Sequence, residues 1–347
     1  MNKSLVSGIL IAVCLAQNTL ADNKHEYEGK DDSGFSFALI GDTPYGDNQV
    51  GPFDNVINEI NDDESVRFVM HAGDIKSGGA TCDDARFIAR YNQYQKFEKA
   101  FVYTPGDNEW TDCHRDSNGQ YNPLERLGFL RSLFFPDPEM STGQKPIHVM
   151  SQSSVPGYEK YVENVLFERE RIIFSTLHVV GSNNDLRPWS GIDANDSYDN
   201  PRADRIAEFK ERQAAVLDWI DRSFDRADEE HARGVFLMMQ ANPQFNRKSS
   251  EIGRQGFNAI IERIRNRTLA FKKPVVLAHG DYHTYLIDKP LDPEDWSTLT
   301  SELLTNLTRV QTFGSPHVHW IKVRVQPESS SVFTFEQKIV KENIDLK

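Results

Sequence analysis

The sequence predicts an α/β fold with a parallel sheet, and three observations carry that expectation. The first is the stretch Phe37-Ala38-Leu39-Ile40-Gly41-Asp42-Thr43-Pro44, an apolar run that ends on an aspartate and breaks into turn residues. The second is recurrence: Val66 to Asp74, Phe101 to Asp107 and Val275 to Asp281 are again apolar runs ending in Gly-Asp. The third is spacing. Asp42, Asp74 and Asp107 stand 32 and 33 residues apart, about the length of one βαβ unit. Right-handed crossovers would then bring all three to one edge of a sheet, where open α/β folds bind their ligands.

A lone Gly-Asp after a strand is ordinarily a turn, because Gly accepts positive φ and Asp hydrogen-bonds its own backbone there. Four carboxylates gathered at strand ends would repel one another unless protonated or bound to cations. The expectation is therefore one acidic cluster that serves as a metal site; the plainer alternative is a set of solvated turns.

In chain order, residues 1–21 read as a secretory signal peptide cleaved after Ala21. Lys3 precedes the apolar run Leu5 to Ala16, and Thr19-Leu20-Ala21 is a small-residue cleavage pattern. The run is shorter than the ~20 apolar residues of a membrane span, so the expected location is secreted or periplasmic, without membrane attachment. Residues 22–34 are polar and aperiodic and read as a flexible leader. Residues 35–347 are expected to form a single domain with a long insertion around 109–157.

Of the 347 residues, 39 are basic and 52 acidic, a formal charge of −13 that becomes −14 once Lys3 is removed. Nucleic acid and anionic membrane surfaces are poor partners for such a chain. Cys14 leaves with the signal, and Cys82 and Cys113 each follow one of the Gly-Asp loops. In an exported chain they are expected to form a disulfide that pins two site loops together; two free buried thiols are the alternative.

Phe53 to Ile60, with Val56, Ile57 and Ile60 at helical spacing, reads as the first crossover helix. Asp83 to Lys99 gives a second, with Phe87, Ile88, Tyr91, Tyr94 and Phe97 toward the core. Glu109 to Gly157 is rich in Pro, Asn and Asp and is broken only by a helix over Leu124 to Leu133; loops of this length are usually functional lids or insertions. Tyr161 to Val180 gives two strands, the second from Ile172 to Val180, followed by Gly181-Ser182-Asn183-Asn184, either a turn or a substrate contact. Arg202 to His231 is the strongest helix. Gly234 to Met239 is a buried strand that ends in Gln240-Ala241-Asn242-Pro243, and Phe257 to Ile264 a further helix. From Pro274 onward the chain reads as β: Val275 to Ala278, Tyr285 to Ile287, Val310 to Phe313, His319 to Val325 and Val332 to Glu336.

From about residue 35 to the final strands, the order of these strand-end motifs resembles the calcineurin-like metallophosphoesterases. That family has a four-layer α/β/β/α fold and a two-metal site, with motifs running DxH, GDxxD or GDxxN, GNH followed by an acid, a lone His after a strand, and GHxH. Asp42 matches the first Asp, Asp74 the Asp that bridges the metals, and His283 the second His of GHxH. The departures are that Pro44 stands for the His of DxH, Asp107 for the metal-binding Asn, Asn108 for the catalytic His, Gln240 for the lone His and Asp281 for the first His of GHxH.

Asp107, Gln240 and Asp281 keep oxygen atoms able to bind a hard cation. The resemblance thus implies a surviving site with Asp42, Asp74, Asp107, Gln240, Asp281 and His283 as metal ligands and two divalent ions, with Mn, Mg or Ca favoured over Zn because imidazoles have been lost. Asp74 and Asn108 are the implied catalytic pair, with Asn108 donating a hydrogen bond to a phosphoryl oxygen, since an amide cannot transfer a proton at neutral pH. The function implied is an exported metal-dependent phosphoesterase that hydrolyses a phosphate mono- or diester of a small phosphorylated substrate by metal-activated water. The alternative is a weakly active or inactive protein of this fold that binds a ligand or partner through Glu109 to Gly157. Among other residues, His71 and His279 either orient ligands from behind or pack in the core. His317 and His319 would share one face of a regular strand, and Glu109 and His114 are stand-ins for lost acid chemistry.

Overall fold

β1 (Phe35–Ile40) is buried along its whole length and pairs on both sides. The computed structural model describes Met1, residues 34–290 and residues 304–344; apart from Met1 the expected signal peptide, and all but the last residue of the expected leader, lie outside the described residues. The chain divides between Ser33 and Gly34, and all the strands and helices named below belong to the part from Gly34 on.

After β1 the strands are β2 (Val66–His71), β3 (Ala100–Tyr103), β4 (Thr142–Gly143), β5 (Met150–Ser151), β6 (Val165–Arg169), β7 (Ile172–Thr176), β8 (Gly234–Met238), β9 (Val275–His279), β10 (Leu286–Asp288), β11 (Leu307–Gln311), β12 (Trp320–Gln326) and β13 (Val332–Lys338). They form two sheets, ordered β13-β12-β1-β2-β3-β4 and β10-β11-β9-β8-β7-β6-β5. β1, β2 and β3 are parallel neighbours, as are β7, β8 and β9. Each sheet therefore has a parallel centre with antiparallel or very short strands at its edges, which suits strands that must be covered on both faces.

Three buried clusters define the layers. Between the sheets, Phe37, Leu39, Phe68, Met70 and Val102 of one meet Phe167, Phe174, Phe236, Met238 and Val276 of the other. Phe37 lies flat on Phe68 at 4.9 Å and meets Phe174 and Phe236 edge-on, the geometries aromatic rings prefer. Outside the first sheet lie the helices Val50–Asp62, Asp84–Tyr94 and Pro123–Phe134. Outside the second lie Ala203–Glu229 and Asn258–Phe271. The fold is a four-layer α/β/β/α sandwich.

The local reasons are visible in the chain. Phe53, Val56, Ile57 and Ile60 recur at helical spacing and are all buried. Asp83 caps the second helix by accepting from the Arg86 N–H, and Asn122 with Pro123 starts the third.

Several boundaries differ from expectation. The second helix stops at Tyr94, because Gln95 to Phe97 close a tight turn of 3-residue hydrogen bonds. β7 ends at Thr176: Leu177 N–H makes a last bond to Met238 O of β8, and Val179 N–H then turns back to Leu177 O; the helix from Asn258 runs on to Phe271. β11 begins at Leu307, ahead of the expected Val310. His317 and His319 precede β12 and do not share a strand face: the His319 N–H donates to His317 O in a turn. The 109–157 region is built into the body, with Leu127, Leu130 and Phe134 in the outer core, β4 paired with β3 and β5 with β6.

Candidate active site

The carboxyl ends of the two parallel strand sets face one place. Asp42, Asp74 and Asp107 follow β1, β2 and β3, and Gln240 and Asp281 follow β8 and β9. Asp42, Asp74, Asp107, Asn108, Glu109, Asp112 and Gln240 are buried, and Asp281 and His283 are partly so.

Asp42 joins the two sheets. Its Oδ1 accepts the Asp281 N–H at 2.8 Å and lies 3.6 Å from His283 Nε2, while Thr312 Oγ1 donates to its Oδ2 at 3.3 Å. His283 is oriented from behind, with Nδ1 on Ser315 O at 2.6 Å. The approach of the two loops is so close that a Cβ on Gly280 would overlap the Asp42 carboxylate, and one on Gly106 would overlap that of Asp74.

Asp74 is held by Asn108 and Tyr45. Asn108 gives Nδ2 to Asp74 Oδ2 at 2.8 Å and its backbone N–H to Oδ1 at 3.2 Å, and Tyr45 OH donates to Oδ2 at 3.0 Å. The Asn108 amide also donates to the Tyr45 oxygen at 2.9 Å, so the three side chains form a closed triangle. Glu109 braces the same turn from below: its Oε1 accepts from the Asp74 and Gly106 backbones and from Tyr103 OH. Glu109 is thus a strut of the loop, not a free acid.

Gly181 to Asn184 is both a turn and part of the site. Ser182, Asn183, Asn184 and Asp185 have φ of 50, 57, 54 and 67°, a left-handed turn of four non-glycine residues, a conformation costing ~1–2 kcal/mol per residue. Flanking contacts hold it: Asn183 Oδ1 accepts from Gly256 N–H, Asn184 Oδ1 from the Arg212 guanidinium and Asp185 Oδ1 from Trp189 Nε1. The turn places Ser182 Oγ 2.9 Å from Asp107 Oδ2 and 2.7 Å from Asp112 Oδ1. A hydroxyl has one hydrogen, so it serves both oxygens only when one carboxyl carries a proton. Asp42, Asp74, Asp281 and His283 also have left-handed φ; strain of this kind persists where surrounding structure over-determines it.

Burial raises the pKa of Asp42 and Asp74 well above the carboxylate range, and neighbouring carboxylates push the same way: Asp281 and Asp107 on Asp42, and Asp107, Glu109, Asp42 and Asp281 on Asp74. Asp281 and Asp112 are each pushed to about 7, first by burial and then by Asp107. Burial lowers His283. Lys76, fully buried two residues after Asp74, is brought down to about 8 by burial against the pull of Glu109, Asp112, Asp74 and Asp107.

Lys76, Tyr45, Asp112 and Ser182 are the members that motif reasoning passed over or left open. The signal for Lys76 was a cation inside a Gly-Asp loop, and for Tyr45 an aromatic three residues after Asp42. His71 and His279 are core residues. The Gly73 N–H donates to His71 Nδ1, which leaves Nε2–H for Thr43 O, and His279 Nδ1 sits on Gly280 O. Cys82 and Cys113 are bonded to each other, which ties the loop after β2 to the loop after β3.

The donor chemistry fits a hard cation, since several buried carboxylates are set together and Gln240 Nε2 and Glu109 Oε2 are buried without a partner. The arrangement is not closed around an ion. Among the described residues no group of three or more His, Cys, Asp or Glu is placed to hold a metal, and Asn108, Tyr45, Ser182 and the Asp281 N–H hydrogen-bond to carboxylates of the centre. Gln240 Oε1 is likewise engaged, by the Gly181 N–H at 2.7 Å.

No family model and no curated protein matches the chain. Solved structures do, at low identity. TT1561 of Thermus thermophilus is 8% identical over 89% of this chain and 100% of its own, with a TM-score of 0.45. GAP50, the anchor in the inner membrane complex of Plasmodium, is 10% identical over 89% of each chain, with a TM-score of 0.45. The purple acid phosphatase PPD1 of yellow lupin is 13% identical over 91% of this chain and 52% of its own, with a TM-score of 0.46, so the chain spans about half the length of that enzyme. Likenesses this remote transfer no activity.

Proposed function

We propose that the chain is an exported, metal-dependent hydrolase of small phosphate esters. The observation that supports this most is the convergence of Asp42, Asp74, Asp107, Asp112 and Asp281 from both sheets, beside one buried lysine, Lys76. Burial at this density is costly for charged carboxylates, and protons or cations relieve it. Asp42, Asp74, Asp107, Asp281 and His283 would hold the ions, and Gln240 would join through Oε1 only by giving up Gly181. Bound divalent ions would supply Lewis-acid chemistry, polarising phosphoryl oxygens and acidifying water.

The chain's own donors complete the reading. Asn108 Nδ2, already oriented by Asp74 and Tyr45, would donate to a phosphoryl oxygen, and Gln240 Nε2 is a second buried donor without a partner. Export is consistent with the Cys82–Cys113 bond; among the described residues no helix is long and apolar enough to cross a membrane.

A second reading, a binding protein without catalysis, is favoured by the carboxylates already being satisfied by Asn108, Tyr45 and Ser182. Metal analysis of protein purified without chelator, followed by assay on phosphomonoesters and diesters with Mn²⁺, Mg²⁺, Ca²⁺ and Zn²⁺, separates the two. Turnover that depends on Mn²⁺, Mg²⁺ or Ca²⁺ and is lost in Asp74→Asn supports the hydrolase; no metal and no turnover supports the binding protein.

A further inference from the structure

Beside the acidic centre lies a cavity of about 600 Å³ between the loop carrying His114 and Arg115 and the loop from Arg187 to Tyr198. It inverts the chemistry of its neighbour. The centre is dominated by carboxylates, whereas the charged side chains on the cavity wall are two arginines and one carboxylate.

Arg187 is exposed and, among the described residues, has no side-chain hydrogen bond or ion pair. Its charge nevertheless reaches into the centre, where it opposes the raised pKa of both Asp112 and Asp281. Arg115 is half committed: one nitrogen pairs with Asp112 Oδ2 at 2.6 Å and another reaches Gly78 O at 3.4 Å, which leaves further guanidinium N–H groups. His114 Nδ1 accepts the Gly191 N–H at 3.1 Å, so a neutral ring must carry its hydrogen on Nε2 as a donor. The ring stays neutral, because burial and Arg115 hold its pKa down to about 4. Ser197 Oγ accepts from Asn200 N–H, and its own hydrogen remains to be given.

The one carboxylate on the wall, Asp196, is fully spent. Its oxygens take Arg205 in two bonds, at 2.9 and 2.7 Å, and the backbone N–H groups of Trp189 and Arg202. Two guanidinium groups, an imidazole N–H and a hydroxyl around one hollow match an oxyanion, and arginine forks suit planar carboxylate or tetrahedral phosphate oxygens. Tyr198, also part of the lining, exposes 49% of its surface.

We propose that this cavity is an anion subsite that binds a second oxyanion, phosphate or carboxylate, carried by the ligand whose first anionic group lies at the acidic centre. The substrate class becomes a phosphate ester bearing an additional anionic group. That assignment to substrate rests on the phosphoesterase reading; anion binding by the cavity does not.

The test uses full-length protein treated with chelator, because without metal the acidic centre has no cation to hold an anion and the cavity reports alone. Inorganic phosphate and succinate are titrated by calorimetry at fixed low ionic strength, since exposed charges are screened by salt. The wild type is expected to bind at least one of the two in the millimolar range, at least fivefold more weakly in Arg187→Ala and with part of the affinity restored in Arg187→Lys. Arg233→Ala removes a remote arginine paired with Glu328 and should bind like the wild type. Tighter phosphate assigns a phosphoryl group and tighter succinate a carboxylate. Absence of binding by the wild type, or equal affinity in Arg187→Ala, overturns the subsite. If Arg187-dependent binding is present while no ester is turned over with any metal, the subsite stands and the phosphoesterase reading falls.

Discussion

Asn108 grips Asp74 at both ends, with its side-chain amide on Oδ2 at 2.8 Å and its backbone N–H on Oδ1 at 3.2 Å. Only the first contact depends on the side chain. Asn108→Ala should therefore leave the backbone bond and the fold intact while leaving Asp74 Oδ2 with the Tyr45 hydroxyl as its side-chain donor. A neutral hydrogen bond of this kind contributes ~1 kcal/mol to stability, so the melting temperature should move by a few degrees at most. Any phosphoesterase activity should drop by about 100- to 1000-fold, in line with loss of one donor to a developing charge. Unchanged kcat/KM would remove Asn108 from the reaction.

Gly106 abuts the other face of Asp74. In Gly106→Ala the new methyl would overlap the Asp74 carboxylate, and overpacking of this kind costs ~1–3 kcal/mol. The exposed helical Gly128 has nothing within 4 Å of an added Cβ, so Gly128→Ala should stabilise by about 1 kcal/mol through helix propensity. Denaturant titration of the two variants should give opposite signs; two similar shifts would contradict the close approach at Gly106.

The raised carboxylates give metal-free protein a pH dependence whose sign is fixed. Asp112 titrates at about 7 when folded against an ordinary 3.8, so its contribution is complete below about pH 4 and is lost as pH rises through 7, at ~1.4 kcal/mol per pH unit. The buried neutral histidines act oppositely. His71 and His279, held down to about 4 and about 3 from 6.5, cost stability as pH falls below 6.5. The clean readout is therefore a difference: relative to Asp112→Asn, wild-type stability in chelator should decline by on the order of 3 kcal/mol between pH 4.5 and 7.5. Parallel curves for the two proteins would contradict it. Adding Mg²⁺, Mn²⁺ or Ca²⁺ at pH 7.5 should raise the wild-type melting temperature.

The Cys82–Cys113 bond closes a separation of 31 residues, worth ~3–4 kcal/mol in the chain-entropy model. Thiol counting on unreduced, denatured protein should find neither cysteine free. The Cys82→Ser, Cys113→Ser double variant should unfold at lower denaturant and lose order first around Asp74 and Asp107, read as faster amide exchange there. Two free thiols in the unreduced protein would refute the bond.

The sequence by itself determined the strands that end in Gly-Asp, the crossover helices between them and the gathering of Asp42, Asp74, Asp107 and Asp281. The reason is that period-3.6 and continuous apolar patterns are local, and right-handed crossovers then leave little choice of edge. The pairing of Cys82 with Cys113 was legible for the same reason, since each follows a loop already placed. Residues whose role depends on a partner distant in sequence were not legible. Ser182 meets Asp112 across 70 positions, and the left-handed turn that carries it is held by Gly256, Arg212 and Trp189. Neither the strain in Ser182 to Asp185 nor the donor-lined hollow around Arg187 leaves any periodic trace. Helix and strand are dictated by near neighbours, but a left-handed backbone and a spent or unspent hydrogen bond are decided only by what the tertiary fold brings against them.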